Sequence, residues 1–599
     1  MKRINEMIMH LIRGMSKAMA RFPLTVLSLF GAASLICYII FIDEQPGLIL
    51  EKLIFTFLVG AVLGMAAQFS CERFDGLITK RPAVYGISAL LTAGYFMILW
   101  PAPEISMEIG VRTFVAVFAM LCAVLWLPAF KDKADFNKIA LVHFKSIFTS
   151  VLYSGVLSGG IAAIIAAVDI LLFNVNNDAY SYMMTIVWVL FAPIYYLSLL
   201  PYFNSEEEAD RERAAHAANY PRFLEVLVSY IAIPLLLAYT IVLVAYFGKI
   251  IITQNWPSGQ LGGMVLAYSA AGLVIFVLSS LIENKFAYWY RMIFPKIWIP
   301  IIIMQFASVF MRLNAYGVTE SRYYVVIFGI FSMACAILLS VKPVSRNSII
   351  ALLAAAFAIV SVIPPADAFT VSRNSQISRL ESIIQSEGIL QSGKLTPNPD
   401  AAENTKTETT NIISYLDNHS SLEYIAWLPE DFNMYDDMKL HFGFEPTYPY
   451  YGDDQSEYFY ASIDSQDPFI ISGYDVYANV FSDRWNKDGS GSVDEFDMTV
   501  DGAQYTLRIA RESAWEVIVE VEDEQGEVLI GTGLRAFADG LSGQADGQKE
   551  ALPPELMTLE TEKNGYRLRI VFQNISMTMG NGQDAGADYG LYVFFGTPE

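Results

Sequence analysis

Apolar residues run in blocks of about twenty through the first 365 positions, then give way near the C-terminus to apolar and polar residues alternating every second position. A block of roughly 20 apolar residues is the length a helix needs to cross a bilayer. Eleven such blocks stand out, at 24–42, 48–69, 83–100, 109–129, 146–173, 183–203, 224–251, 261–282, 293–311, 323–341 and 349–364. The last is the shortest. From about position 456 a period of two takes over. EFDMTV and QYTLRIA flank Asp501-Gly502, AWEVIVEVED and EVLIG flank Gly526, and LMTLETEK and YRLRIVFQNISMTM flank Asn564-Gly565. Alternation around such turns predicts hairpins. The predicted fold class is an α-helical polytopic membrane bundle of about eleven transmembrane helices, followed by an α+β domain with an antiparallel sheet.

The stretch 348–381 joins the two patterns. It opens as SIIALLAAAFAIVSVIPP and continues as the polar ADAFTVSRNSQISRLE, where Ile377, Leu380 and Ile384 predict a helix. The domains expected from these changes are five. Residues 1–22 form an amphipathic basic helix, with Ile4, Met7, Ile8, Leu11, Ile12, Met15 and Met19 on one stripe. Residues 23–365 form the membrane domain and 366–393 a helix beyond it. Residues 394–410, polar and Pro-containing, are expected as a mobile linker. An acidic α+β domain spans 411–599, beginning with an amphipathic helix over 411–428.

Charge gives the threading a direction. Lys and Arg crowd the cytoplasmic connections of membrane proteins. Under this threading 20 of them fall on the side of the N-terminus and 5 (Lys52, Arg112, Lys249, Arg312 and Arg322) on the other. The N-terminus is therefore expected in the cytoplasm. Eleven passages then put the C-terminal domain outside. Up to Pro365 the chain carries 25 Lys+Arg against 20 Asp+Glu, and beyond it 14 against 41. So acidic a tail disfavours nucleic acid as a partner. The four cysteines, Cys37, Cys71, Cys122 and Cys335, all lie in the membrane half, so the tail has neither disulfides nor Cys-based metal sites.

Ionisable groups within spans are costly, which makes each a functional candidate. Asp169 ends the fifth span, Gln305 sits mid-span, and Glu225 and Glu283 lie at span ends. No acidic or histidine relay crosses the bundle, and no internal repeat supports a transporter. The connection RLNAYGVTESRYY is richer. Arg312, Tyr316, Glu320 and Arg322, together with Asp169, are the candidate ligand-binding residues for an anionic headgroup. The same residues also read as an inter-helix clamp of ion pairs and hydrogen bonds, which is the simpler reading. Gly60/Gly64 and Gly155/Gly159 have the spacing that lets helix backbones approach.

RLNAYGVTESRYY, the SGG–Asp169 span and AFTVSRNSQISRLESII…GIL together resemble a bacterial family known as domain of unknown function 4153 (DUF4153) over roughly residues 20–395. The resemblance implies a multi-pass bacterial inner-membrane protein. It implies no activity and no catalytic residue.

In the tail, Asn486, Asp488, Ser490, Ser492, Asp494 and Asp497 match the spacing of a calcium loop, with Gly491 at the turn position. Asn at the first position, Asp at the last and a strand where a helix normally follows all depart from it. The candidate cofactor is therefore Ca²⁺, and the simpler reading is an acidic hairpin loop. The run EPTYPYYGDDQSEYFY reads as core and turn or as an aromatic binding face. The tail holds only His419 and His441, and no HExxH, GxSxG or SxxK motif, so catalysis has little support. The expected partners are the lipid bilayer and an envelope ligand or protein outside. The function expected is a multi-pass membrane protein with an extracytoplasmic binding or sensing domain. A permease or envelope-precursor transporter, and more remotely an enzyme on lipid-linked substrates, are the alternatives.

Overall fold

Ten helices among the described residues are long and apolar enough to cross a membrane. The computed structural model describes residues 2–42, 46–253, 260–429, 431–448, 458–463, 471–483, 493–542, 552–578 and 586–598. Helix α1 (Lys2–Arg21) leads into α2 (Pro23–Ile42), α3 (Leu48–Arg73), α4 (Arg81–Leu99), α5 (Met107–Trp126) and α6 (Phe136–Leu171). Then come α7 (Asp178–Leu199), α8 (Arg222–Thr253), α9 (Gln260–Ser279), α10 (Lys285–Tyr316) and α11 (Glu320–Val341). Helices α7 and α8 each contain a six-residue π segment, Ile186–Phe191 and Leu227–Ala232, just before Pro193 and Pro234. Proline lacks an N–H and crowds the carbonyl one turn back, and a widened turn relieves both.

The eleventh block forms only a 13-residue helix, α12 (Ser348–Val360). At 1.5 Å per residue it is about 20 Å long, short of a ~30 Å hydrocarbon core. Hydrogen bonds show how far the chain nevertheless travels. At one end of the bundle Asn347 Nδ2 donates to Asn137 Oδ1 (2.8 Å) and Ser280 Oγ (3.0 Å), and Arg346 pairs with Asp132 at 2.9 Å. At the other, Asp367 pairs with Arg112 at 3.3 Å, where α5 begins. The short helix and the turns at 361–367 separate these two sets of contacts.

The same sorting holds for other connections. Arg21 reaches Glu72 and the carbonyls of Leu200 and Pro201, Arg73 reaches Phe130 O, and Lys145 reaches the carbonyls of Ala217 and Asn219. Lys52 donates to the carbonyls of Trp100 and Ala102. Each bond joins connections that the charge pattern assigned to one side. Gly60 and Gly64 sit where a Cβ would meet Ser28, Thr92 and Thr25 within 2.8 Å, so this pair packs α3 against α2 and α4. A Cβ on Gly155 or Gly159 would meet nothing within 4 Å.

Beyond α12 the chain forms α13 (Ala368–Ser386), a small hairpin of β1 (Leu390–Gln391) and β2 (Lys394–Leu395), α14 (Glu403–Asn418) and α15 (Met434–Phe442). Leu380, Ile384, Ile413, Leu416, Met438 and Phe442 share their core. The linker expected over 394–410 is thus replaced by β2 and half of α14. The reason is chemical: α14 buries Thr405, Thr409 and Thr410 on its first turns, so its inner face looks polar in the sequence. Nor does the chain divide near 410. Everything to Tyr448 belongs to one compact unit, and Pro449–Glu599 form a second.

The second unit contains two antiparallel sheets. One has the order β5 (Val493–Val500), β6 (Ala503–Arg511), β7 (Val517–Asp523) and β8 (Val528–Gly533). The other runs β3 (Tyr458–Ser462), β10 (Tyr566–Thr578), β11 (Gly586–Gly596) and β4 (Val476–Ser482), with β9 (Thr558–Lys563) also on β10. All three expected hairpins are present. Val500 pairs with Ala503 across Asp501-Gly502, and Lys563 with Tyr566 across Asn564-Gly565, with all four turn residues at positive φ. That is the two-residue turn whose twist matches flanking strands. Leu507, Val519, Ile530, Ile570, Phe572 and Leu591 belong to one core shared by both sheets. Arg511, 3% exposed, stitches them together. Its guanidinium donates from β6 to Ser482 O and Oγ (both 2.9 Å) on β4 and to Ala587 O (3.1 Å) on β11.

Candidate functional site

The connection between α10 and α11 is built on one glycine. Gly317 adopts φ 68° and ψ −178°, a region essentially reserved for glycine, and ends α10. The chain then extends through Thr319 and restarts at Glu320. Breaking the helix orphans carbonyls, and long side chains collect them. Arg322 Nη1 curls back to Tyr316 O (3.1 Å) and Gly317 O (2.8 Å), its guanidinium 5.5 Å from the Tyr316 ring centroid. A cation suits a helix C-terminus.

Helices α13 and α14 close over this loop. Gln376 Nε2 donates to Tyr316 O (3.0 Å) and Val318 O (2.8 Å), and Val318 N–H donates to Ser375 Oγ (3.0 Å). A Cβ on Gly317 would stand 2.9 Å from Gln376 Nε2, so the glycine also makes room for the clamp. Tyr415 Oη donates to Glu320 Oε2, and His419 Nε2 lies 3.6 Å from the same oxygen. His419 Nδ1 lies 2.7 Å from Tyr415 O, which can only accept, so that nitrogen carries a proton. Burial first, and then the Glu320 carboxylate, push the Tyr415 phenol well above its ordinary range, so it remains a donor. Arg379 pairs with Glu408, tying α13 to α14. Asp367 caps α13 by accepting from the N–H groups of Phe369 and Thr370, both at 3.1 Å.

Of the five residues expected at a ligand site, the structure gathers Tyr316, Glu320 and Arg322 into this joint. The Tyr316 carbonyl, the Glu320 carboxylate and Arg322 Nη1 all bond within the protein. Arg312, four residues before the end of α10, makes no ion pair or hydrogen bond among the described residues. Asp169 pairs with neither arginine. Its Oδ1 accepts from Val175 N–H at 2.6 Å and closes its own loop. Of the calcium-like loop, Asn486, Asp488, Ser490 and Ser492 lie outside the described residues. Asp494 and Asp497 are on β5, three positions apart and so on opposite faces of the strand, with Asp497 Oδ1 accepting from Thr506 Oγ1 at 3.2 Å. Among the described residues no three His, Cys, Asp or Glu side chains gather as metal ligands would. Residues 449–457 of the aromatic run also lie outside them.

A second polar cluster escaped the sequence reading. Arg21 makes a bidentate pair with Glu72 (2.7 and 2.8 Å), both side chains at most 10% exposed, and lies 3.9 Å over the Tyr202 ring. Gln68 Nε2 donates to Glu72 Oε1 and Tyr85 Oη to Gln68 Oε1. His143, 3% exposed, shares a 2.6 Å bond with Tyr196 Oη and stacks on Phe203. The signal that could have found it is Gln68 and Glu72 at i, i+4 on one face of α3. The cluster anchors the end of α1 to the bundle.

Comparison with known proteins agrees with this architecture. Residues 30–389, from early in α2 to just past α13, match the family described as Domain of unknown function (DUF4153). The chain belongs to that family. The DUF4153 region thus includes the α10–α11 joint and α13, and ends before α14. The chain is also 24% identical over 266 residues to Uncharacterized protein PM1469 of Pasteurella multocida (strain Pm70). That match covers 42% of this chain and 43% of the relative. No solved structure matches.

Proposed function

We propose that this DUF4153 protein is a bacterial inner-membrane anchor for an extracytoplasmic binding or sensing domain, with its N-terminus in the cytoplasm. The 20-to-5 division of Lys and Arg supports that threading. So does the passage of the chain from Asn347 to Asp367 beside α5. The observation that carries the reading is the clamp of Gln376, Tyr415 and Glu320 on the α10–α11 connection. It gives the helices beyond the membrane a rigid grip on two spans, which is what transmitting an outside event requires. Asp169, Tyr316, Glu320 and Arg322 then act as structural parts of loops rather than as ligand contacts.

A permease or lipid transporter is the second reading, favoured by Arg312, which has no ion pair or hydrogen bond among the described residues. A reporter fused after Glu599 tests the threading. It should be active outside the cytoplasm, and cytoplasmic activity overturns the reading. Arg312→Ala separates the two functions. Loss of transport of a solute at normal protein levels replaces the anchor with the permease.

A further inference from the structure

Three helices line a crevice with one stripe each. Residues 111–118 of α5, 324–331 of α11 and 354–361 at the end of α12 all contribute their i, i+3, i+4 and i+7 positions. The resulting cavity holds about 370 Å³, within the size range of small-molecule sites. Its depth is about 10 Å, seven residues of helix rise. Its walls are aromatic and aliphatic, and Phe114 and Phe118 are 62% and 50% exposed, so it opens sideways to where lipid lies. Tyr324 and Ser361 are its polar rim.

Beside that rim stand three charges. Arg112 pairs with Glu108 at 2.6 Å and with Asp367 at 3.3 Å, which leaves the group net negative by one. The Arg112 and Glu108 side chains are 37% and 32% exposed, whereas Asp367 is buried. A purely anionic headgroup meets repulsion here. An ammonium finds the partly exposed Glu108 carboxylate, with the buried Asp367 adding negative charge behind it, and a phosphate attached to the ammonium finds the partly exposed Arg112 guanidinium.

We infer that this crevice holds one acyl chain of an aminophospholipid, with the ammonium at Glu108 and the phosphate at Arg112. The lipid packs beside α11, the helix that carries Glu320 and Arg322.

The test uses the full-length protein, exposed to equal amounts of phosphatidylethanolamine and phosphatidylglycerol with the same acyl chains. Lipid retained after purification is read by native mass spectrometry. Retention should favour phosphatidylethanolamine by about tenfold, the ratio that ~1.4 kcal/mol confers. Glu108→Gln should bring the ratio close to one, and Ala358→Phe, which fills the crevice, should abolish retention of both lipids. Equal retention by the unmodified protein, or a preference for phosphatidylglycerol, overturns the inference. If Ala358→Phe fails to fold, Glu108→Gln at a partly exposed position still decides it, and an unchanged ratio there is refuting.

Discussion

Removing one oxygen atom probes the joint between the membrane helices and the helices beyond them. Tyr415→Phe deletes the donor to Glu320 and leaves the ring's packing intact. A hydrogen bond to a charged group contributes about 1.5–3 kcal/mol net. With ~1.4 kcal/mol per factor of ten, the local opening of α14 should become about 10- to 150-fold more frequent. Hydrogen–deuterium exchange of amides 403–418 reads this directly, because the bond is local and the cores on either side remain. The loss should not depend on pH near neutrality, since the Tyr415 phenol is held above its ordinary range. Glu320→Gln supplies the control. If Tyr415→Phe costs as much in that background as alone, the two side chains are not coupled, and the clamp does not grip through this bond.

Asp367 gives the joint an acid limit. Burial raises its carboxyl, but hydrogen bonds from Thr370 and the charge of Arg112 outweigh it and hold the group below the ordinary aspartate value. A depressed folded-state value means stability that is complete above the unfolded pKa and lost as pH falls through the folded one. Exchange protection of α13 should therefore fall below about pH 4. Asp367→Asn, which still caps the helix, should flatten that limb. In the second unit, Arg511→Ala strands buried carbonyls of Ser482 and Ala587. At about 1–3 kcal/mol for each orphaned group, the loss is ~2–6 kcal/mol. Limited proteolysis of the intact protein should then release fragments of 493–598 at much lower protease concentration, and unchanged resistance contradicts the stitch.

How much of this was legible in the sequence depended on which force wrote each part. Helices that cross lipid must satisfy their own backbone and expose hydrocarbon, so α2 to α11 announce themselves by composition. The hairpins did so through Asp501-Gly502 and Asn564-Gly565, where positive φ restricts residue choice. Helix α14 was half hidden because Thr405, Thr409 and Thr410 fill positions where aliphatic residues would have marked its period. In the loop 312–324 the residues stood out, but their partners did not. Gln376 and Tyr415 lie 60 and 95 positions away from Tyr316 and Glu320. Asp169 finds its partner only six residues away, at Val175 N–H, rather than among the residues of that loop. Glu72 was not among the charges singled out in the spans, and only folding brings Arg21 against it.

The stitch by Arg511 bears on chemistry as well as on packing. Small domains outside the cell are commonly closed by disulfides, whose formation depends on an oxidising compartment and its enzymes. This second unit has no cysteine, and one buried guanidinium joins its two sheets instead. An arginine needs no oxidant, cannot be reduced and keeps its charge at any physiological pH. The sandwich can therefore close as soon as its strands are made, and its closure is indifferent to the redox state on either side of the membrane.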